Sequence, residues 1–247
     1  MVNGLYVMAS GMVPRIVQMD NVSNNLANVS THGYKKSSVF LRQLITASRA
    51  LDHAMGVESR DVPTEVWIDF SQGTFEKTDN TFDVALNGSG FFRVLDTSGR
   101  IYYTRDGRFH RDPNGFLVNN EEMFLLNNLN KIIRIEGNDM VIMGNGDVTV
   151  DGENVDTIGL AEFNENDYSS LMGTGAGLFE KPATVNEIPS GTDTQFYQGY
   201  LEDANVEPVH TMVDMIEIFR EFELGQKAIQ IQDQTLQRVV TEVGVLR

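Results

Sequence analysis

Apolar residues recur at alternating steps of three and four at both ends of this chain, and at steps of two between them. Near the N-terminus Leu5, Met8, Met12, Met19, Val22 and Leu26 share one face, with Arg15 in the remaining slot. Near the C-terminus Met212, Met215, Phe219, Phe222, Ile229, Leu236, Val240 and Val243 do the same, with Gln226 and Asp233 in the gaps. A mean step of 3.5 residues is the coiled-coil period. Helices of this extent are roughly 40 and 50 Å long, and one compact domain does not easily bury both around its own core. Two long terminal helices are therefore predicted, pairing with each other or with other chains.

The first helix is expected over 4–28. Pro14 removes a backbone donor and crowds the Ser10 carbonyl, which predicts a kink or a late start. Gly33 suits the left-handed position that ends a helix. A shorter helix is expected over 39–51, where Phe40, Leu44, Ala47 and Leu51 share a face, and 52–73 reads as an extended linker. From Thr74 the period becomes two, predicting strands over 74–78, 82–86, 91–95, 101–104, 123–126, 132–135, 140–143, 148–150, 158–163 and 196–201. Asp106-Gly107 carries a hairpin signal. Asp112-Pro113-Asn114-Gly115 has proline at the second turn position, and 171–177 reads as a flexible loop. The expected fold is α+β: long N- and C-terminal helices paired as a coiled coil, with a central, mainly antiparallel β-domain. Its parts are a helix over 1–34, a connector over 35–73, a β-rich domain over 74–200 and a second helix over 201–247.

Composition narrows the function classes. The chain has 247 residues, 41% of them hydrophobic, enough for a core. No apolar run approaches the ~20 residues that span a bilayer, so no membrane insertion is expected. Residues 1–11 lack the basic start and continuous apolar stretch of a cleaved signal. Cysteine is absent, which removes disulfides, thiolate metal sites and cysteine nucleophiles. Residues 1–60 hold six Lys/Arg and three Asp/Glu, against thirteen and thirty-two in 61–247. So acidic a body repels phosphate backbones and argues against a nucleic-acid partner.

The residues carry no pattern of an active site. His32, His53, His110 and His210 form no i,i+4 pair, so no helix-borne zinc site is expected. Gly173 to Gly177 lacks the Lys-Ser/Thr pair of a phosphate cradle, and no Gly-x-Ser-x-Gly elbow occurs. Asp147, Asp151, Glu153 and Asp156 miss the calcium-loop spacing and read as hairpin turns. No catalytic residue, cofactor or metal ligand is expected. Asn24, Asn25 and Asn28 are poor helix formers near a helix end, and amides with both donors and acceptors can fix the register of packed helices.

Three segments carry a resemblance. They are Asn21-Val22-Ser23-Asn24-Asn25-Leu26-Ala27-Asn28 through His32-Gly33-Tyr34-Lys35, then Asp83 to Phe92 with Tyr103-Thr104-Arg105-Asp106-Gly107, and Gly199 to Val206 followed by Met212 to Ile216, Arg220 and Phe222-Glu223. In this order they closely resemble the signature of bacterial flagellar rod and hook proteins. Length and a short connector point to the proximal-rod branch, ahead of the distal rod. The resemblance implies an inner tube of paired terminal helices, a β-rich outer domain, termini that order on assembly, and a rod that crosses the periplasm and transmits torque. The implied partners are copies of itself, other axial proteins and the flagellar type III export apparatus. The apolar helix positions and Asn24, Asn25 and Asn28 then become the assembly interface, and Arg15 is expected to pair with Asp233 or Glu223. A periplasmic muralytic hydrolase with scaffolding helices and a binding module that dimerises through its helices are the rival classes.

Overall fold

The structure, a computed structural model, describes residues 2–41, 64–137, 139–164, 166–188 and 194–244, without side chains for 2–11, 40–41, 64–65, 239–240 and 242–244. The chain divides into two compact units. One holds residues 1–27, 37–68 and 207–247, and the other 28–36 and 69–206.

In the first unit α1 (Val2–Ala27) and α2 (Pro208–Gly244) pack together. Helix α1 runs through Pro14 without a break. The pairing is antiparallel, because Met12 lies against Gly225 while Arg15, further along α1, reaches Glu221, earlier on α2. A Cβ added at Gly225 would stand 3.2 Å from the Met12 side chain, so glycine there lets the helices approach closely. Two strands, β1 (Ser37–Leu41) and β2 (Thr64–Ile68), also lie in this unit and form an antiparallel ladder from Ser37 opposite Ile68 to Leu41 opposite Thr64. The helix expected from Val39 thus begins as a strand, as its β-branched start favours, and the rest of it, 42–51, lies outside the described residues.

The second unit is antiparallel throughout its named strands. Its largest sheet runs β14 (Met172–Gly175), β15 (Leu178–Glu180), β6 (Ile101–Thr104), β5 (Phe91–Leu95), β9 (Phe124–Leu125), β8 (Leu117–Asn119) and β7 (Phe109–Arg111), with β13 (Leu160–Ala161) also on β5. A second sheet joins β10 (Met140–Ile142), β11 (Asp147–Val150) and β12 (Glu153–Thr157). Two further ladders pair early strands with late ones: β3 (Phe75–Lys77) with β17 (Tyr200–Glu202), and β4 (Val84–Asn87) with β16 (Gln195–Gln198). Phe92, Val94, Leu125, Ile133 and Val148 are fully excluded from water at the centre of the core.

Turn chemistry explains most of the connections. Asp112 accepts from the amides of Asn114 and Phe116, and Gly115, at φ +90°, closes the β7–β8 hairpin. Asp151 and Gly152, both at positive φ, form the two-residue β11–β12 turn, the mirror-image geometry that matches strand twist. Residues 171–177 are not a loop but most of a hairpin, with Ala176 and Gly177 at positive φ between β14 and β15. Nor does Asp106-Gly107 join paired strands: β6 pairs with β5 and β15, while β7 pairs with β8. Residues 132–135, expected as a strand, make only isolated bridges at Ile132 and Arg134.

These turns have a consequence in acid. Asp147 accepts from the Thr157 hydroxyl at 2.6 Å and from the Asn145 amide at 2.7 Å, and these bonds hold its carboxyl below the ordinary value of 3.8. Asp96 is lowered likewise, first by the Ser98 hydroxyl at 2.6 Å. With folded pKa values below the unfolded ones, the stabilisation is present above pH 3.8 and is lost as pH falls through the folded values. Urea midpoints should therefore drop below that pH, and Asp147→Asn should flatten the decline.

Candidate functional site

One charged residue from each of the three motif segments meets the others inside the second unit. Lys35, in the stretch after α1, points its ammonium at Glu202 of β17, with Nζ to Oε1 2.6 Å and both side chains wholly buried. Arg105, just past β6, approaches the other oxygen of the same carboxylate at 3.2 Å. Lys35 also donates to the Ser71 carbonyl and Arg105 to that of Gly88, while the Gly73 amide donates to Glu202. The Arg105 guanidinium lies over the Phe91 ring, 5.3 Å from its centre. One carboxylate is thus clasped between two buried cations. Burial pushes the Lys35 ammonium below the usual lysine range, opposed first by the charge of Glu202 and reinforced by that of Arg105.

Close backbone approach makes this clasp possible. Gly33, at φ +70°, has no room for a Cβ against the backbone of Arg105 and Asp106, and Gly73 has none against the Asp203 carbonyl. Gly33 therefore does not end α1, which stops at Ala27; it lets two motif segments touch. The Gly33 amide donates to the Glu202 carbonyl at 2.7 Å. Asn205 adds a second fastening, accepting from the Lys36 amide and donating to the Asp69 carbonyl.

In the helical unit the asparagines divide. Asn25 is buried, and its amide accepts from the Ser37 N–H at 2.9 Å while donating to the Ser37 carbonyl at 2.7 Å, so it holds β1 as a strand neighbour would. Asn21 donates to the Ser37 hydroxyl. The Asn25 amide is thus engaged within its own chain. Asn24 is exposed on α1, and Asn28, half-buried, follows the helix.

The apolar helix positions divide as well. Met12, Met19, Val22 and Leu26 are half-buried on α1. On α2 the half-buried positions Met215, Ile218, Phe222, Gly225, Ile229, Gln232 and Leu236 follow steps of three and four, with Ala228 half-buried beside Ile229. Met215, Phe222, Ile229 and Leu236 lie where the pattern put them, whereas Met212 and Phe219 are each 49% exposed. Their intervening slots belong to Ile218, Gly225 and Gln232, one residue earlier than Phe219, Gln226 and Asp233. The shift has a cause in the sequence: a second stripe of Val209, Met212, Val213, Ile216 and Phe219 is exposed, and two adjoining apolar stripes leave the phase undetermined. Leu5, Met8, Val240 and Val243 lie on the two helices, with side chains outside the described residues. Arg15 pairs with Glu221 at 3.0 Å, not with Asp233 or Glu223. Glu221 flanks the seam beside Phe222, whereas Asp233 is about 18 Å further along the helix.

Among the described residues, one group has the spacing of metal ligands, and it comprises His32, Glu76 and Asp203. No helix among them is long and apolar enough to cross a membrane.

Comparison with known proteins reproduces the three-part organisation. Residues 5–35 match the family described as flagella basal body rod protein, 85–150 the flagellar hook protein FlgE/F/G D1 domain, and 197–242 the flagellar basal body rod FlgEFG protein C-terminal region. Each charge of the clasp comes from a different matched segment. The flagellar basal-body rod protein FlgG of Buchnera aphidicola subsp. Schizaphis graminum is 35% identical, over 97% of this chain and 99% of its own length. FlgF of Caulobacter vibrioides is 33% identical over 98% of each, and FlgG of Bacillus subtilis 29% over 97% and 98%. With terminal helices that pack on each other, an antiparallel β-rich unit between them and relatives matched from end to end, this chain belongs to the flagellar basal-body rod protein family, whose members are structural rather than catalytic.

Proposed function

We propose that this chain is an axial subunit of the rod that polymerises through its terminal helices and carries torque across the periplasm. The observation that carries the reading is the double stripe of α2. One stripe is half-covered within the chain, and the other, Val209 to Phe219, faces solvent. A helix apolar on two sides gains full burial only when a neighbour covers the second. Met212 suits such a contact because a thioether adapts to slightly different surfaces. In this reading the contacts are of the head-to-tail kind with a rotation that does not close into a ring, so a helical tube grows. The partners in this reading are copies of the chain and other axial proteins, delivered by the flagellar type III apparatus. The interface extends over the apolar positions of α1 and along α2 to Val240 and Val243.

FlgG proteins predominate among the similar relatives, which favours the distal rod over the proximal branch that chain length suggested. One observation keeps the proximal reading as second: the alignment to the Caulobacter FlgF spans 246 positions, against 266 for the first Buchnera FlgG at nearly the same coverage of this chain.

The test separates the two stripes. Phe219→Asp should leave the isolated chain as helical as the parent yet abolish rod assembly and swimming in a strain lacking the natural subunit. Phe222→Asp, which charges the inner seam, should lower the helix signal of the isolated chain as well. Swimming restored by Phe219→Asp would overturn the proposal.

A further inference from the structure

The geometry points to a divalent transition-metal site formed by His32, Glu76 and Asp203, with the ligand set of a zinc-class cation. His32 follows α1 by five positions, Glu76 is the middle residue of β3, and Asp203 follows β17 directly. One ligand atom from each lies within 4.8 Å of the other two.

The imidazole carries the argument. His32 Nδ1 is buried and has no hydrogen-bond partner, although it lies 3.4 Å from Asp203 Oδ1. A desolvated ring nitrogen left unsatisfied is costly. Two ligands held about 2.0–2.1 Å from one tetrahedral zinc ion stand about 3.3 Å apart. The two atoms form no hydrogen bond, and their separation is close to that of two ligands of one cation. Glu76 Oε2 lies 3.9 Å from the other ring nitrogen on a side chain that is 58% exposed, so it can swing to the ion and leaves an entry path from solvent.

The supporting groups are set for this role. Asp203 Oδ2 accepts from the Thr74 hydroxyl at 3.1 Å, which leaves Oδ1 toward His32. The Asp203 amide donates to the Thr74 carbonyl at 2.8 Å, and Glu76 is opposite Leu201 in the β3–β17 ladder. Hydrogen bonds that orient a coordinating carboxylate are a regular part of metal sites. One nitrogen and two carboxylate oxygens, with water in the remaining positions, suit zinc, manganese or nickel better than magnesium or calcium. Spacing along the sequence gave no hint of this site, because its three ligands come from three separate segments. A cation there would tie the stretch leaving α1 to the stretch approaching α2.

Calorimetric titration of the full chain, stripped with a chelator and then given zinc chloride near neutral pH, is the test. We expect one equivalent to bind, magnesium not to compete, and affinity to fall about tenfold or more in His32→Gln and in Glu76→Gln. Zinc at a hundredfold excess over its Kd should raise the melting temperature of the β-rich unit by about 5 °C in the parent and leave His32→Gln unchanged. Should His32→Gln fail to fold by circular dichroism, the exposed Glu76→Gln variant decides. Absence of saturable zinc binding in the parent, or variants that bind as the parent does, would overturn the site.

Discussion

Replacing Glu202 with alanine is expected to destabilise the β-rich unit by about 3–5 kcal/mol, because it leaves two buried cations facing one another without their shared counter-charge. Lys35 and Arg105 both reach that carboxylate, and neither is exposed enough for water to take its place. Loss of near-UV circular dichroism at lower urea would report the effect. Glu202→Gln should recover part of it, since an amide oxygen still accepts from Lys35 and from the Gly73 amide. Replacing all three charges with apolar residues of similar volume should recover more, as desolvating the ions then carries no cost. A Glu202→Ala protein as stable as the parent would remove the clasp from any account of this fold.

The second large effect is expected at Gly107. A Cβ there would collide with the carbonyl of Val84, a core residue of β4, while the Val84 amide donates to the Gly107 carbonyl at 3.0 Å. Backbone held in a ladder cannot turn aside as a side chain can. Gly107→Ala should therefore cost about 3 kcal/mol or more and break the junction between β4 and the segment after β6. Gly144 has open space around it, so Gly144→Ala serves as a control expected within about 0.5 kcal/mol of the parent. Thermal melts of the two variants give the comparison directly.

Gly107 also shows where the sequence could be read and where it could not. Aspartate followed by glycine is a local hairpin signal, yet here the glycine serves a contact with Val84, more than twenty residues earlier, and no short window contains that partner. The helices were legible because a seam repeats along one element, and the inner face of α1 falls on Met12, Met19, Val22 and Leu26 as its spacing predicts. On α2 the phase slipped by one position at Phe219 because Ile216 and Phe219 continue an apolar pattern that α1 does not cover. The β-rich character was visible in short, mostly apolar runs such as 91–95 set between turn residues. Strands of three residues, such as Phe109–Arg111, are too short to show a period. The clasp had no spacing rule at all: Lys35, Arg105 and Glu202 are ordinary charges until the fold removes water from them, and only their membership in the three recurring segments set them apart.

Lys35 and Glu202 are separated by 167 positions, and the two ladders that pair early strands with late ones also close over more than a hundred. A polypeptide emerging from a narrow conduit, leading end first, must hold its early cation without a counter-ion until nearly everything behind has followed. If the chain is exported as proposed, closure of the β-rich unit waits for Glu202 and its neighbouring strand, so a molecule in transit would stay pliable enough to thread.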